Sequence, residues 1–283
     1  MIDLRRFVRR ALDEDLGHGD LTTESTVPAD LLGTGAVLAK SDVVVSGHAP
    51  AAAVFAEVDR RYGGTTVYEV LVADGEAAAS MTVIGRVAGP LRNIIIGERL
   101  ALNLLMKLCG IATNTSAFVQ AAGDSGLKVV DTRKTTPGLR ELEKYAVRCG
   151  GGQNHRHALF DGVMVKDNHI TAVGSLTAAV ARARAAAHHL IRVEVEVRTL
   201  AELDEALGTE ADVVLLDNMD DAMLAAAVER TREVRPAMIL EASGNINPAR
   251  IAAIRGLGLD LVSAGGLIHQ ARWADLSLKI KQG

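Results

Sequence analysis

Cysteine is scarce: Cys109 and Cys149 are the only two in 283 residues. They are too few for a disulfide framework and too isolated for a metal knuckle, so both are expected to be packing residues. Nor does any apolar run approach the roughly 18 residues that a membrane helix needs. The opening Met1-Ile2-Asp3-Leu4-Arg5-Arg6 puts charge where a secretory signal needs its apolar stretch, and nothing there resembles a cleavage site. The expectation is a soluble, cytoplasmic protein with no membrane partner. A basic excess is also missing. The net charge is -4 and the pI about 6.1, which argues against a nucleic-acid or anionic-membrane surface and confines any anion site to a local pocket. No Gly-x-Gly-x-x-Gly follows a strand-like run, which disfavours a dinucleotide fold.

What is present is a globular balance, 48% apolar and 23% charged residues, with length for one barrel-sized unit and a smaller partner. The first hundred residues read as α+β. An amphipathic helix covers 4–16, strands lie near 36–40, 67–72 and 82–87, and a second helix lies near 51–62. Asp74-Gly75 supplies a turn, and a long helix over 92–108 should end at Gly110, where a domain boundary is placed. From residue 127 short β-branched runs alternate with Ala-rich helices, the mark of parallel βα units, with strands over 127–132, 163–166, 191–197, 212–218, 237–243 and 259–265. Thr199-Leu-Ala-Glu202 is a capping box, and Asn247-Pro248 an N-cap with a first-turn proline. Residues 275–280 alternate like a strand that returns to the first domain.

In a parallel barrel the chemistry sits at the C-terminal strand ends, and here those ends are polar: Asp131-Thr-Arg133-Lys134, Lys166-Asp-Asn-His169, Glu194 and Glu196, Asp217-Asn218, Glu241 and Ser243-Gly244-Asn245, and Ala264-Gly265-Gly266. Glu194 and Glu196 share a strand face. If that face is interior, both need lysines, arginines or a cation nearby, such as magnesium carried in by a phosphorylated substrate. A structural ion-pair network is the plainer alternative. Residues 131–169 are dense in Arg133, Lys134, His155, Arg156, Lys166 and His169, a focused cationic pocket suited to a flat carboxylated ligand. Arg140, Lys144 and Arg148 recur at helical spacing and are expected on a solvated helix face. The late glycine pairs, Ser243-Gly244 and Gly265-Gly266, suit a phosphate held by backbone N–H groups. Phosphoribosyl transfer fits these residues, and so does a barrel lyase with Lys134 or Lys166 as a Schiff base.

The run from Asp131-Thr-Arg-Lys-Thr-Thr-Pro-Gly-Leu-Arg140 through Lys144-Tyr-Ala-Val-Arg148, Gln153-Asn-His155-Arg156 and Lys166-Asp-Asn-His169 closely resembles the quinolinate phosphoribosyltransferase family. The resemblance extends to Gly17-His-Gly-Asp20, Glu98-Arg99-Leu-Ala-Leu-Asn103, Glu194-Val-Glu196, Leu216-Asp217-Asn218 and Glu241-Ala-Ser243-Gly244, nearly the whole chain. It implies an N-terminal α/β sandwich over 1–109, an incomplete α/β barrel over 110–269 and a C-terminal segment, 270–283, that returns to the first domain. It further implies conversion of quinolinate and phosphoribosyl pyrophosphate to nicotinate mononucleotide, by a homodimer with a shared site or by a hexamer. Arg133, His155, Arg156 and Lys166 would line the quinolinate pocket, with Arg99 supplied by the neighbour. Lys134 would lie between the substrates, and Glu196 and Asp217 would face the ribose and the magnesium-bound pyrophosphate. Ser243, Gly244 and Gly265, with Gly266 beside it, would take the terminal phosphate. The family's usual Thr-His-Ser is replaced here by Ile268-His269-Gln270, and a usual Gly by Ala158.

Overall fold

Helices and strands alternate from residue 3 to residue 283, the span that the computed structural model describes. Of the opening stretch read for a signal, Met1 and Ile2 lie outside the described residues. In chain order come α1 (Leu4–Leu16), α2 (Leu21–Thr26), β1 (Leu32–Ala39), β2 (Val43–Val44), α3 (His48–Tyr62), β3 (Val67–Val70), β4 (Ala77–Ala78), β5 (Val83–Pro90) and α4 (Leu91–Ala122). There follow β6 (Lys128–Val130), α5 (Arg140–Cys149), β7 (Val163–Val165), α6 (Asp167–Val173), α7 (Leu176–Ala186), β8 (Val193–Val197) and α8 (Leu200–Leu207). The last are β9 (Val213–Asp217), α9 (Asp221–Val234), β10 (Ile239–Ser243), α10 (Pro248–Ile254), β11 (Leu261–Ser263), α11 (Gly266–His269) and β12 (Leu276–Gln282). Two compact units result. The first takes the chain up to Ser116 with Thr136–Gly151 and Ala271–Gly283, the second Ala117–Thr135 with Gly152–Gln270.

The first unit is an antiparallel sheet, β12-β1-β5-β3, under helices. β1 buries alternate residues, among them Val37 and Ala39, and these pack with Ile84, Val87, Val54, Phe55, Ile94 and Leu105 in one apolar core. Helix α1 starts where the Asp3 carboxylate accepts from Arg6 N–H at 3.0 Å and buries Val8 and Leu12, one turn apart. The closing strand β12 pairs with β1, from Gly33↔Gln282 to Ala39↔Leu276.

Gly110 does not end the long helix, as its residue type suggested; α4 runs on to Ala122. Leu105, Leu108, Ile111, Ala112, Thr115 and Phe118 are all buried, so the helical stripe continues past the glycine. The glycine is there for a neighbour instead: a Cβ on it would fall on the Arg272 carbonyl oxygen and lie 3.1 Å from Trp273 Cα. Gly110→Ala gains helix propensity of about 1 kcal/mol but forces backbone apart, and overpacking of that kind costs about 1–3 kcal/mol or more. Steric loss should therefore win, and urea unfolding should show a lower midpoint for Gly110→Ala; an unchanged or raised midpoint would contradict the close approach.

Helix α5 is a second correction. Lys144 and Glu143 are fully buried, not on a solvated face; Glu143 is paired with Lys107 at 3.0 Å and accepts from Thr136 N–H at 2.8 Å. Only Arg148 of the three expected surface cations is well exposed. Leu142, Ala146 and Val147 share the buried side, and charges at that spacing are carried inward with them. Cys109 packs as expected, its thiol exchanging hydrogen bonds with the Ser46 backbone.

The second unit is a six-stranded parallel sheet in the order β6-β11-β10-β9-β8-β7. β6 and β7 end the sheet without pairing to each other, so the α/β barrel is incomplete. β8 is buried at every position, as expected of a strand covered on both sides. Asn247 caps its helix as read, accepting from Arg250 N–H at 2.9 Å with Pro248 in the first turn. Thr199 accepts from Glu202 N–H at 3.1 Å, but the Glu202 carboxylate reaches back to Arg198 N–H at 2.6 Å and not to that of Thr199, so only half of the capping box forms. Among the described residues no helix is long and apolar enough to cross a membrane.

Candidate active site

The C-terminal ends of the parallel strands surround a cavity of about 550 Å³. It is lined by Arg133, Lys134, His155, Arg156, Lys166, Glu196, Asp217 and Ser243, all expected from the sequence, and by Thr132, Met164, Asp167, Arg198, Leu215, Asn218, Glu241 and Ser263. Parallel pairing sets Ser243 beside Asp217 and Ser263 beside Ser243, which puts polar groups from successive strands at one level.

One side of the cavity is cationic and unneutralised. Among the described residues, Arg133, Lys134 and Arg156 make no ion pair with a carboxylate. Arg156 donates to the Gly162 carbonyl at 2.9 Å, and burial, then the charge of Arg133, holds its guanidinium below the ordinary arginine value. A guanidinium whose charge is made costlier by burial and by a second guanidinium beside it forms, with that neighbour, a site suited to anions. The stem of Lys134 runs over the β11–α11 turn, where a Cβ on Gly265 would lie 2.8 Å from Lys134 Cδ and 3.0 Å from His269 Nε2.

The other side is acidic but already paired. Lys166 Nζ lies 3.2 Å from Glu196 Oε2. Arg198 reaches Glu196 Oε1 at 3.3 Å, Asp217 Oδ2 at 3.4 Å and Asp167 Oδ2 at 2.9 Å. Asp167 is held below the ordinary carboxylate range by the Asn168 N–H and then by Arg198. Nearby, Gly244 adopts a φ of +96°, where a Cβ would collide with the Asn218 amide, so this turn requires glycine.

His155 sits deeper. Its backbone N–H is fixed by Asp131 at 2.9 Å, and Arg156 N–H donates to its Nδ1 at 2.7 Å. Nδ1 therefore carries no proton, and Nε2–H donates to Glu194 Oε2 at 3.1 Å, with Glu241 Oε2 3.6 Å away. Glu194 Oε1 and both Glu241 oxygens are buried with no hydrogen-bond partner among the described residues. The donor atoms of His155, Glu194 and Glu241 lie within 4.8 Å of one another, a set separate from Glu196 and Asp217. Burial, then the charge of Glu194, pushes the Glu241 carboxyl up to about 7, so a shared proton relieves the buried pair.

That proton has a stability consequence. Between the ordinary value of 4.5 and about 7 the folded state holds a proton that the unfolded chain has released, so stability falls as pH rises through this window and is flat above it. Glu241→Gln keeps a neutral group there at every pH. The variant should lose this slope and gain on the order of 2 kcal/mol relative to the parent at pH 8. Urea unfolding at pH 5 and pH 8 measures it, and equal pH slopes in both proteins would refute the shared proton.

Residues 111–279 match the family model described as quinolinate phosphoribosyl transferase, C-terminal domain, and residues 20–109 match that of the N-terminal domain. The chain belongs to the quinolinate phosphoribosyltransferase family. It is 42% identical to the nicotinate-nucleotide pyrophosphorylase (carboxylating) of Mycobacterium leprae, over 98% of this chain and 96% of that one. Its fold is similar to the crystal structure of NadC from Streptococcus pyogenes, with a TM-score of 0.91, 39% identity and coverage of 98% and 96%. A structure of the nicotinate-nucleotide pyrophosphorylase from Francisella tularensis is similar at TM-score 0.91 and 35% identity, again covering 98% and 96%.

Of the residues that the resemblance singles out, seven of the barrel side chains and Ser243 share the cavity, with Gly265 against Lys134. Gly266 begins α11, where a Cβ would lie 2.9 Å from Gln270 Oε1. Arg99 lies on α4, in the first unit, and is exposed. Sequence reasoning missed Arg198, although it continues the parity of Glu194 and Glu196 by one more step along the chain.

Proposed function

We propose that this quinolinate phosphoribosyltransferase joins quinolinate to phosphoribosyl pyrophosphate and releases nicotinate mononucleotide, pyrophosphate and carbon dioxide, in NAD biosynthesis. The observation that carries this reading is one cavity with unpaired cations, Arg133, Lys134 and Arg156, facing the carboxylates Glu196 and Asp217. Arg133 and Arg156 hold the two carboxylates of a planar ring, with Lys166 beside them and His155 fixing the backbone of Arg156. Ser243, Gly244, Gly265 and Gly266 present backbone to the terminal phosphate. Lys134, lying against Gly265, neutralises charge between the two ligands.

Glu196 and Asp217 offer only carboxylate oxygens, a donor set that suits Mg²⁺, and these two residues would hold it. Bound there, magnesium would stabilise the departing pyrophosphate. The ring nitrogen attacks the ribosyl carbon as that carbon gains positive character, and the acidic face stabilises it. Alkylation leaves a cationic nitrogen beside the 2-carboxylate; as carbon dioxide leaves, the electron pair of the broken bond stays on C2, stabilised by the adjacent positive nitrogen, and C2 then takes a proton from solvent. The same reading includes a domain division at 109/110, a cytoplasmic location, and a homodimer or hexamer in which Arg99 completes a neighbour's site. A Schiff-base lyase fits less well, because Lys166 is paired with a carboxylate and Lys134 is exposed, so neither amine is desolvated.

The test is an assay with quinolinate, phosphoribosyl pyrophosphate and Mg²⁺, following nicotinate mononucleotide. Absence of product from folded protein would overturn the reading.

A further inference from the structure

Three carboxylates of the acidic face, Asp167, Glu196 and Asp217, converge on a single guanidinium. Arg198 contacts all three at 2.9, 3.3 and 3.4 Å. With Lys166 on Oε2 and Arg198 on Oε1, both oxygens of Glu196 are taken. Asp217 Oδ2 is shared by Arg198 and the Asn218 amide, the latter at 2.9 Å. A divalent cation held by both residues must compete for three of their four oxygens, since among the described residues Asp217 Oδ1 alone makes no such contact. We propose that Arg198 closes the Glu196–Asp217 face to a free divalent cation and yields it to one that arrives with a diphosphate group, which the displaced guanidinium then binds.

This rests on reading Glu196 and Asp217 as the metal–pyrophosphate face. A hydrated cation arriving alone must expel a guanidinium from three carboxylates and leave it without an anion. A cation that brings a diphosphate also brings the oxygens that a guanidinium fork grips bidentately. The exchange then conserves ion pairs, and two positive charges are never left competing for one acidic face. The Arg198 side chain is 53% exposed, so it can swing without unpacking anything. Exposed pairs are individually weak, so three of them together set a barrier to free metal of roughly tenfold, not an absolute block.

The experiment uses the full chain and Mn²⁺ as a paramagnetic probe, with binding read by electron paramagnetic resonance in the absence and presence of inorganic pyrophosphate. Arg198→Met removes the charge and keeps most of the length. It should bind Mn²⁺ alone roughly tenfold more tightly than the parent and Mn²⁺–pyrophosphate more weakly, so the advantage that pyrophosphate confers on metal binding shrinks. Arg198→Lys, which keeps a cation without the fork, should fall between the two. Unchanged affinity for Mn²⁺ alone in Arg198→Met, with Mn²⁺–pyrophosphate bound normally by the parent, would overturn the role of Arg198 and leave the face intact. If Glu196→Gln with Asp217→Asn does not weaken Mn²⁺–pyrophosphate, the face itself has been misread and the proposal falls with it.

Discussion

Nicotinate, which lacks only the 2-carboxylate, should be turned over with an efficiency about 10⁴-fold below that of quinolinate. Among the described residues Arg133 and Arg156 stand in one cavity without an ion pair to a carboxylate, and the charge of Arg133 makes that of Arg156 costlier. Two ligand carboxylates relieve both. One carboxylate relieves only one guanidinium and leaves its neighbour unpaired beside the ligand, the kind of mismatch by which polar sites reject near-isosteres. The chemistry also fails, since without the 2-carboxylate no carbon dioxide leaves to make ribosyl transfer irreversible. Steady-state kcat/KM for both acids, at saturating phosphoribosyl pyrophosphate and Mg²⁺, measures the ratio. Efficiencies within roughly tenfold of each other would mean that the paired arginines do not read two carboxylates.

Arg99→Ala and Lys166→Ala should each reduce activity about 10³-fold or more, because a charge-assisted contact to the reacting ligand is lost. If Arg99 serves a neighbour's cavity, mixing the two inactive proteins restores activity. In a two-fold dimer of one variant subunit with the other, one site carries both intact residues and the second carries neither. Random exchange should therefore recover about a quarter of the parent activity. The measurement is activity against time after mixing, with subunit exchange followed independently by mass. Complete exchange without recovery would show that Arg99 acts within its own subunit or not at all.

Much of this molecule could be read from local pattern. Helix α1 has the bounds its periodicity implied, and each parallel strand lies inside the β-branched run that announced it, because period and burial are set by neighbours in sequence. The polar strand ends converge on one cavity for the same reason: parallel strands all point one way. Where reading failed, the cause was non-local. Gly110 is a glycine because residues 272–273 pass over it, which no local signal reports. Lys144 looked like a surface cation and is buried. The two-residue strands β2 and β4, which pair only with each other, are too short to carry a period. Arg198 was legible in principle, but a lone arginine two residues beyond Glu196 gains meaning only when Asp167 and Asp217 are seen around it.

The pairing of β12 with β1 also dictates an order of events at the ribosome. Every ladder contact from Gly33↔Gln282 to Ala39↔Leu276 joins residues on opposite sides of the entire second unit. While that unit is being synthesised, β1 can be covered on its β5 side but not on the other. A nascent chain therefore carries a bare strand edge, able to accept a foreign strand, for as long as translation of the intervening residues takes. The closing strand is the last piece of the first unit and its protection against mispairing, so a stall or truncation before residue 276 leaves an aggregation-prone intermediate even when the catalytic barrel is complete.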